Sequence, residues 1–229
     1  RLLRSYRAGQ SKLPAYLEDH GAMVVALADL YESSFETRWL QKASQLCSVM
    51  LEQFWDAGKG GFHFTANDHE KLIARTKPFH DGATPSGNSL AVMACLRLSR
   101  FTGDRELAAR AERTLEVFAP PMADSPSAVV YMLTCLDEWL TPPEDVVVVG
   151  DPADPATRAL LDTAGQGFEP GRAVLLLRPD RLGSEDERLV PALAGKTLVG
   201  GKPAAYVCRN STCREPVTEP AILEHELGI

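Results

Sequence analysis

The densest group of polar and conformationally permissive residues in this chain runs from Asp81 to Asn88, in the order Asp-Gly-Ala-Thr-Pro-Ser-Gly-Asn. A strongly apolar segment follows it at once. Free backbone N–H groups at the start of a helix attract negative charge and polar oxygens. We therefore expect a ligand-facing loop in which Asp81 is the acid–base residue, while Thr84, Ser86 and Asn88 bind substrate hydroxyls. The alternative is that Ser86 or Asn88 only caps the following helix, since capping loops are common.

Asp19 and His20 form a second acid–base candidate near the N-terminus. A carboxylate beside an imidazole suits proton transfer near neutral pH. Asp19 is therefore a second catalytic candidate, and His20 a substrate-binding one. Adjacent helical residues point in different directions, however, so the two side chains need not share a site. Acidic residues also stabilise the start of a helix without doing chemistry.

His63 alternates with Phe62 and Phe64. In an extended segment it therefore faces away from both rings, either at the mouth of a pocket or into water. On the first of these interpretations His63 is a further substrate-binding candidate. His69 and His80 lie in the same connecting region, but the zinc spacing of two histidines one helical turn apart is not found there. We expect no metal ion and no cofactor.

Cys208 and Cys213 are the two candidate redox residues. They are separated by four residues, which differs from the Cys-x-x-Cys redox spacing. They can pair under oxidation if their Cα atoms approach within about 7 Å. Arg209 can lower the pKa of Cys208 and increase its reactivity. The alternative is a pair of ordinary reduced thiols.

Five segments with helical apolar spacing precede Pro142-Pro143 and must position these side chains. Very short joins between them favour antiparallel helical hairpins. The predicted segments are residues 16–33, residues 39–54, Ser86 or Asn88 to Gly103, Asp104 to Pro120-Pro121, and Ser125-Pro126 to Leu140.

The spacing of the apolar residues changes from helical to strand-like after Pro143. Two short apolar strands flank a helix, which predicts a β-α-β unit with parallel strands. Gly200-Gly201 predicts a hairpin, and the tail predicts a surface helix. We expect a helical-hairpin region over residues 1–143 and a small α/β region over residues 144–229. The predicted elements of the second region are Val146–Val149, Thr157–Ala164, Ala173–Leu177, Thr197–Val199, Ala204–Cys208 and Pro220–Leu227.

The composition excludes several classes of protein. The 229 residues contain 24 Lys and Arg against 31 Asp and Glu, a net charge of −7, which disfavours nucleic-acid binding. No apolar run approaches the roughly 20 residues that span a bilayer, so no membrane partner is expected. Five cysteines are too few for a disulfide scaffold in a chain of this length. The absence of both an initiator Met and a signal-peptide pattern predicts a processed product or a fragment in the cytoplasm.

With these segments identified, the chain resembles the C-terminal portion of the bacterial YyaL-like proteins and their animal relative, spermatogenesis-associated protein twenty. The likeness runs over nearly the whole chain. It is carried by residues 16–22, Phe54-Trp-Asp56, residues 60–65, residues 81–89, residues 201–213 and Pro216-Val-Thr218.

The resemblance implies a longer protein with an N-terminal thioredoxin-like domain. It also implies a mainly α fold with a smaller α/β part, here a partial (α/α)6 toroid like that of N-acylglucosamine 2-epimerases and six-hairpin glycosidases. The implied function is carbohydrate-active or sugar-binding, epimerase- or glycosidase-like. The implied partners are a small carbohydrate, the thioredoxin-like domain and the remaining toroid helices. The alternative is a non-catalytic or thioredoxin-linked redox or protein-interaction module.

Overall fold

The computed structural model describes residues 2–69, 73–167, 169–210 and 212–229. Helices dominate these residues, and a small sheet part accompanies them. The chain separates into two compact units, Arg1–Tyr31 with Arg38–Leu140, and Glu32–Thr37 with Thr141–Ile229. Within the described ranges, no helix combines the length and the apolar character needed to cross a membrane.

Among its described residues, the first unit contains an N-terminal β-hairpin and five α-helices, β1 Leu3–Arg7, β2 Gln10–Pro14, α1 Leu17–Ser34, α2 Arg38–Phe54, α3 Gly87–Thr102, α4 Arg105–Asp124 and α5 Val130–Leu140. The last three residues of α1 group with the second unit. The hairpin was not predicted from the sequence. All of its strand residues are exposed, so no apolar alternation marks it. Ala8 and Gly9 both take positive φ at its turn, as a two-residue hairpin loop requires.

The predicted ends of α3 are confirmed. Ser86 caps its start by accepting the Ser89 N–H, and Gly103 ends it in the left-handed conformation. Asp104 caps α4 as predicted. The predicted end of α4 at Pro120-Pro121 is wrong, because the helix continues to Asp124. Both prolines remove backbone donors, but the buried side chain of Met122 keeps the last turn packed.

The predicted start of the fifth helix is also wrong in detail. Pro126–Ala128 forms a single 3-10 turn, and the α-helix begins only at Val130. The carbonyl oxygen of Ala128 accepts a hydrogen bond from the Asp81 N–H instead of continuing a helix. The connecting segment before α3 is therefore bonded to the turn from which α5 begins.

In the part of the second unit that the structure describes, there are a four-stranded sheet and three α-helices, β3 Glu144–Val149, α6 Pro155–Ala164, β4 Arg172–Leu177, α7 Glu185–Leu189, β5 Ala204–Arg209, β6 Thr212–Cys213 and α8 Pro220–Leu227. The strand order is β4-β3-β5-β6. As predicted, β3 and β4 are parallel. Phe35, outside the predicted boundaries of this region, packs against its core.

The hairpin predicted around Gly200-Gly201 is reduced to one bridge between Val199 and Lys202. No strand forms over residues 197–199. The hydroxyl of Tyr206 instead bonds the backbone N–H and carbonyl of Thr197. Strand β5 pairs antiparallel with β3, whose last four residues, Val146–Val149, are completely buried. The tail helix α8 contributes Leu223 and Leu227 to the core.

Gly21 marks a close approach of α1 to the start of α3. A methyl group at Gly21 would lie 2.8 Å from the Cβ of Leu90 and 3.0 Å from its backbone carbon. Real Cβ atoms do not approach backbone this closely, so the two helices would have to separate. The glycine therefore sets the distance between the helix that carries Asp19 and the helix that carries Asn88.

We predict that Gly21→Ala destabilises the chain by about 1–3 kcal/mol, the range of overpacked sites. Helix propensity alone predicts the opposite sign, a gain of about 1 kcal/mol. The free energy of unfolding in urea measures the change. Ala26→Gly, at an exposed position of the same helix, is the control for propensity and should cost about 1 kcal/mol. A stabilised Gly21→Ala variant would contradict the close approach.

Candidate functional site

The side-chain amide of Asn88 connects two loop segments to the start of α3. Its Oδ1 accepts the Phe62 N–H at 2.8 Å, and its Nδ2 donates to the carbonyl oxygens of Phe62 and Pro78, both at 2.9 Å. Asn88 is fully buried. Both segments are therefore held by one residue that cannot exchange these partners for water.

Backbone hydrogen bonds align the segment from Phe62 to Phe64 between two neighbours. The N–H of His63 donates to the carbonyl oxygen of Phe54 at the end of α2, and the N–H of Phe64 donates to that of Thr76. The turn before this segment needs Gly60, whose φ is +78° and whose missing Cβ would lie 2.8 Å from Cγ of Arg113. These bonds bring His63 and Lys77 to the turn that follows α2.

Asp56 is the centre of the candidate site, which we call the Asp56 cluster (Asp56, His63 and Lys77). Its Oδ1 accepts the N–H groups of Gly58 and Lys59 at 2.9 and 3.0 Å. Its Oδ2 lies 2.7 Å from Nζ of Lys77 and 3.5 Å from Nε2 of His63. Lys77 also donates to the Gly60 carbonyl oxygen at 2.6 Å. The carboxylate thus joins one cation and one imidazole on a rigid turn.

The surroundings set the charge of each member of the cluster. The hydrogen bond from Lys77, helped by the backbone N–H groups, holds the pKa of Asp56 well below its usual range, so this carboxyl is ionised at neutral pH. Burial lowers the pKa of His63, and the nearby charges of Arg75 and Lys77 lower it further. His63 is therefore a neutral imidazole at pH 7.

The Asp56 cluster is neither fully buried nor freely exposed. The exposed fractions of the three side chains are 17–19%. Nδ1 of His63 is buried and has no hydrogen-bond partner within the described residues. Trp55 adjoins the cluster, with its ring edge-on to Phe62 and under the guanidinium of Arg110. The cluster thus presents an anion, a cation and a neutral base at one partly exposed place.

The carboxylate of Asp81 is occupied by the chain itself. Its Oδ1 accepts the Ser86 N–H at 2.7 Å and the Ser89 hydroxyl at 2.9 Å, while its Oδ2 accepts the Tyr131 N–H at 2.7 Å. It thereby supplies an acceptor at the start of both α3 and α5. Ser86 caps α3, and its hydroxyl lies 2.8 Å from that of Ser89. The structure brings Asp81 and Ser86 together, but in bonds within the protein.

The other predicted residues lie in different surroundings. Asp19 accepts the Tyr16 N–H at 2.8 Å and pairs with Arg4 at 3.3 Å, which stabilises the start of α1. His20 is buried, with Nδ1 2.9 Å from the Tyr16 carbonyl oxygen and its ring against Phe54. Thr84 is exposed. Of the predicted substrate-binding residues, His63 belongs to the Asp56 cluster and Asn88 holds it in place.

Sequence reasoning missed Asp56 and Lys77. Asp56 lies two residues after the end of α2, and the pattern Asp-x-Gly-Lys is typical of a turn in which the carboxylate accepts backbone N–H groups. That signal was present but indicates only a turn. Nothing in the sequence around Lys77 indicates its partner. Among the described residues, no group of three or more His, Cys, Asp or Glu side chains is arranged to hold a metal ion.

The two redox candidates form a disulfide in the second unit. Cys208 on β5 lies directly opposite Cys213 on β6, with Cα atoms 3.9 Å apart. The remaining cysteines, Cys47, Cys95 and Cys135, are buried free thiols.

Comparison with known proteins gives one consistent group of relatives. The chain is 32% identical to spermatogenesis-associated protein 20 of Mus musculus and of Homo sapiens, over 97% and 91% of its length. It is 25% identical to an uncharacterised protein of Caenorhabditis elegans over 91% of its length. It spans only 29% of the mouse protein and 26% of the human protein. No protein-family model matches the chain.

We predict that Asn88→Ala lowers the free energy of unfolding by about 2–4 kcal/mol, because it leaves the buried donor and acceptor of Phe62 without their partner. Urea denaturation measures this loss. Thr84→Ala, at an exposed position of the same loop, is the matched control and should change stability by less than about 0.5 kcal/mol. Equal effects of the two substitutions would contradict the role given to the amide.

We also predict that Lys77→Met raises the pKa of His63, because it removes a nearby cation that opposes protonation. The imidazole resonance in an NMR pH titration measures it. In the parent chain the depressed pKa means that the unfolded state binds the proton more tightly, so this residue lowers stability as the pH falls below about 6.5. That loss should be smaller in the variant. Lys59→Met, at an exposed residue of the same turn, should leave the pKa of His63 unchanged, and a lowered pKa in Lys77→Met would refute the electrostatic argument.

Proposed function

The chain belongs to the spermatogenesis-associated protein 20 family, and from that premise we propose that its first unit binds a carbohydrate at the Asp56 cluster. The observation that carries the proposal is the convergence of Lys77 and His63 on Oδ2 of Asp56, at 2.7 and 3.5 Å, in side chains that each keep a partly exposed surface. The rest of the loop supplies a rigid frame through Asn88.

The proposed architecture around the site is a partial (α/α)6 toroid. Five successive helices with short joins, at residues 35–37 and 103–104, support this proposal. In a toroid, the loops at the ends of helical hairpins line the central cavity, and the Asp56 cluster lies in such a loop, between α2 and α3. We propose that the rest of the longer protein supplies the remaining toroid helices and a thioredoxin-like domain.

A sugar matches the chemistry of the cluster. Neighbouring hydroxyl groups of a sugar donate and accept at once, and the cluster offers an ionised acceptor in Asp56 and an ionised donor in Lys77. Hydrogen bonds to ionised groups are about twice as strong as those between neutral groups. Because the cluster is already ordered by backbone bonds, binding needs little further ordering of side chains.

Of the two implied activities, proton transfer of the epimerase kind fits the cluster better than glycoside hydrolysis. Hydrolysis needs a protonated carboxyl group as general acid, whose pKa is raised. The pKa of Asp56 is lowered instead. Removal of a proton next to a carbonyl needs a neutral base and a nearby positive charge for the developing enolate. Neutral His63, whose Nε2 is the ring nitrogen that faces the cluster, and cationic Lys77 are the groups that fit these two roles, while Asp81 and Asp19 remain predicted catalytic residues whose carboxylates are bonded within the chain.

We predict that a member of a panel of neutral aldoses, ketoses and N-acyl amino sugars shifts the imidazole resonance of His63 on titration into the full chain. His63→Gln and Lys77→Met should weaken binding at least ten-fold, since each removes one bond to the sugar; isothermal titration calorimetry measures these affinities, because His63→Gln has no imidazole resonance. For a ligand that binds, incubation in deuterium oxide should exchange the hydrogen next to its carbonyl carbon, and His63→Gln should stop that exchange.

His80→Gln is the matched control, because His80 is an exposed histidine of the same connecting segment. It should leave both affinity and exchange unchanged. Binding without exchange would restrict the function to sugar recognition. The absence of any shift across the panel, or equal weakening by His80→Gln, would overturn the proposal for this site.

A further inference from the structure

We propose that the Cys208–Cys213 disulfide of the second unit is a thiol–disulfide exchange site, which a dithiol reduces by attack at the sulfur of Cys213. This inference is independent of the carbohydrate proposal, since none of its residues belongs to the first unit. It rests on the exposure of Cys213, on the pairing of β5 with β6, which carry the two cysteines, and on the burial of the three remaining thiols.

The two cysteines differ in access. Cys208 is only 7% exposed, whereas Cys213 is exposed on β6, the edge strand of the sheet. Displacement at a disulfide requires the attacking thiolate to reach one sulfur along the bond axis. Cys213 is the residue that offers such access, so Cys208 becomes the leaving group.

The backbone keeps the two thiols together without the covalent bond. Arg209 pairs with Thr212 in the same register as the cysteines, and the Arg214 N–H donates to the Val207 carbonyl oxygen at 3.0 Å. Strand β5 is itself held along its whole length by β3. Reduction therefore leaves the cysteines opposite each other, ready to be reoxidised without a change of backbone.

The disulfide is poorly placed to act as a structural staple. It joins residues only five apart, in a loop that hydrogen bonds already close. Disulfides stabilise mainly by restricting long loops of the unfolded chain. The core of this unit is built from other residues of the sheet, α6 and α8. This bond therefore contributes less to folding than a disulfide that closes a long loop.

Charged side chains hold the end of β5 in both redox states. Glu144 is buried and accepts hydrogen bonds from Arg172 and Arg209, the neighbour of Cys208. Burial raises the pKa of Glu144, but the bonds from both arginines outweigh it and lower the pKa overall, so the carboxylate stays ionised. This triad does not include either sulfur, and reduction leaves it intact.

The chemical step balances with a dithiol as the reductant. One thiolate of the dithiol forms a bond to the Cys213 sulfur, the Cys208–Cys213 bond breaks, and Cys208 leaves as a thiolate that takes up a proton. The second thiolate of the reductant then attacks the mixed disulfide and releases Cys213 as a thiol. Two electrons and two protons pass to the protein, and the dithiol becomes a disulfide.

The other thiols do not compete in this reaction. Cys47, Cys95 and Cys135 are all buried. Burial raises the pKa of Cys135, and the hydrogen bond between Cys95 and Cys47, together with burial, raises the pKa of Cys95. A protonated, buried thiol is a poor nucleophile. Exchange at Cys213 therefore proceeds without scrambling among the five cysteines.

The first test is reduction of the full chain by dithiothreitol without denaturant, followed by alkylation and peptide mass mapping. We expect Cys208 and Cys213 to become alkylated together, Cys47, Cys95 and Cys135 to stay unmodified, and the far-ultraviolet circular dichroism to stay unchanged. Oxidised dithiothreitol should restore the disulfide. Reduction only in the presence of denaturant, or thiols that do not reoxidise, would overturn the proposal.

The second test locates the point of attack. In Cys208→Ser the exposed Cys213 should form a mixed disulfide with oxidised glutathione at least ten times faster than Cys208 does in Cys213→Ser. Thr212→Ala is the control on the same strand, with the disulfide intact, and should be reduced by dithiothreitol at the parent rate. Equal rates in the two cysteine variants would refute attack at Cys213.

Discussion

The side-chain amide of Asn88 is the constraint on which the site of the first unit depends. A buried amide that bonds three backbone groups fixes their relative positions, because water cannot replace any lost bond. Two of those groups belong to Phe62, next to His63, and the third to Pro78, next to Lys77. The convergence of His63 and Lys77 on Asp56 thus depends on a residue outside the cluster.

The loop before α3 shows which features of the site can be predicted from the sequence and which cannot. The motif from Asp81 to Asn88 was recognised, and the cap at Ser86 was correctly foreseen as an alternative. The bonds of Asp81 and Asn88 were not foreseen, because their partners lie far along the chain. Phe62 is 26 residues from Asn88, and Tyr131 is 50 residues from Asp81. A sequence pattern shows which side chains have bonding capacity but not which distant backbone groups take it up.

Some features of the fold follow from local sequence signals, and others from contacts between residues far apart in the chain. The caps Ser86, Gly103 and Asp104 and the parallel strands β3 and β4 follow from local signals, and all were predicted. The prolines of α4 predict a helix end and the glycines before β5 predict a hairpin, and both are local signals of comparable strength. In the structure, packing contacts determine a different outcome at each place. Buried Met122 holds the last turn of α4, and β3 pairs with β5 in place of the predicted local hairpin. The exposed N-terminal hairpin, with no buried face, left no pattern to detect.

These cases indicate which polar residues of such a chain are available to bind a ligand. A dense polar motif is easy to recognise in a sequence because several of its residues bond backbone groups at the starts of helices. Those bonds occupy the hydrogen-bond donors and acceptors of the side chains. Asp81 has three bonds within the chain. His63 and Lys77 come from sparsely patterned loop segments, and their side chains keep partial exposure although Lys77 also bonds Asp56 and the Gly60 carbonyl oxygen. The motif from Asp81 to Asn88 thus supplies the residues that hold the site in place. The residues that it positions, His63 and Lys77, are the ones that keep partly exposed polar atoms for a ligand.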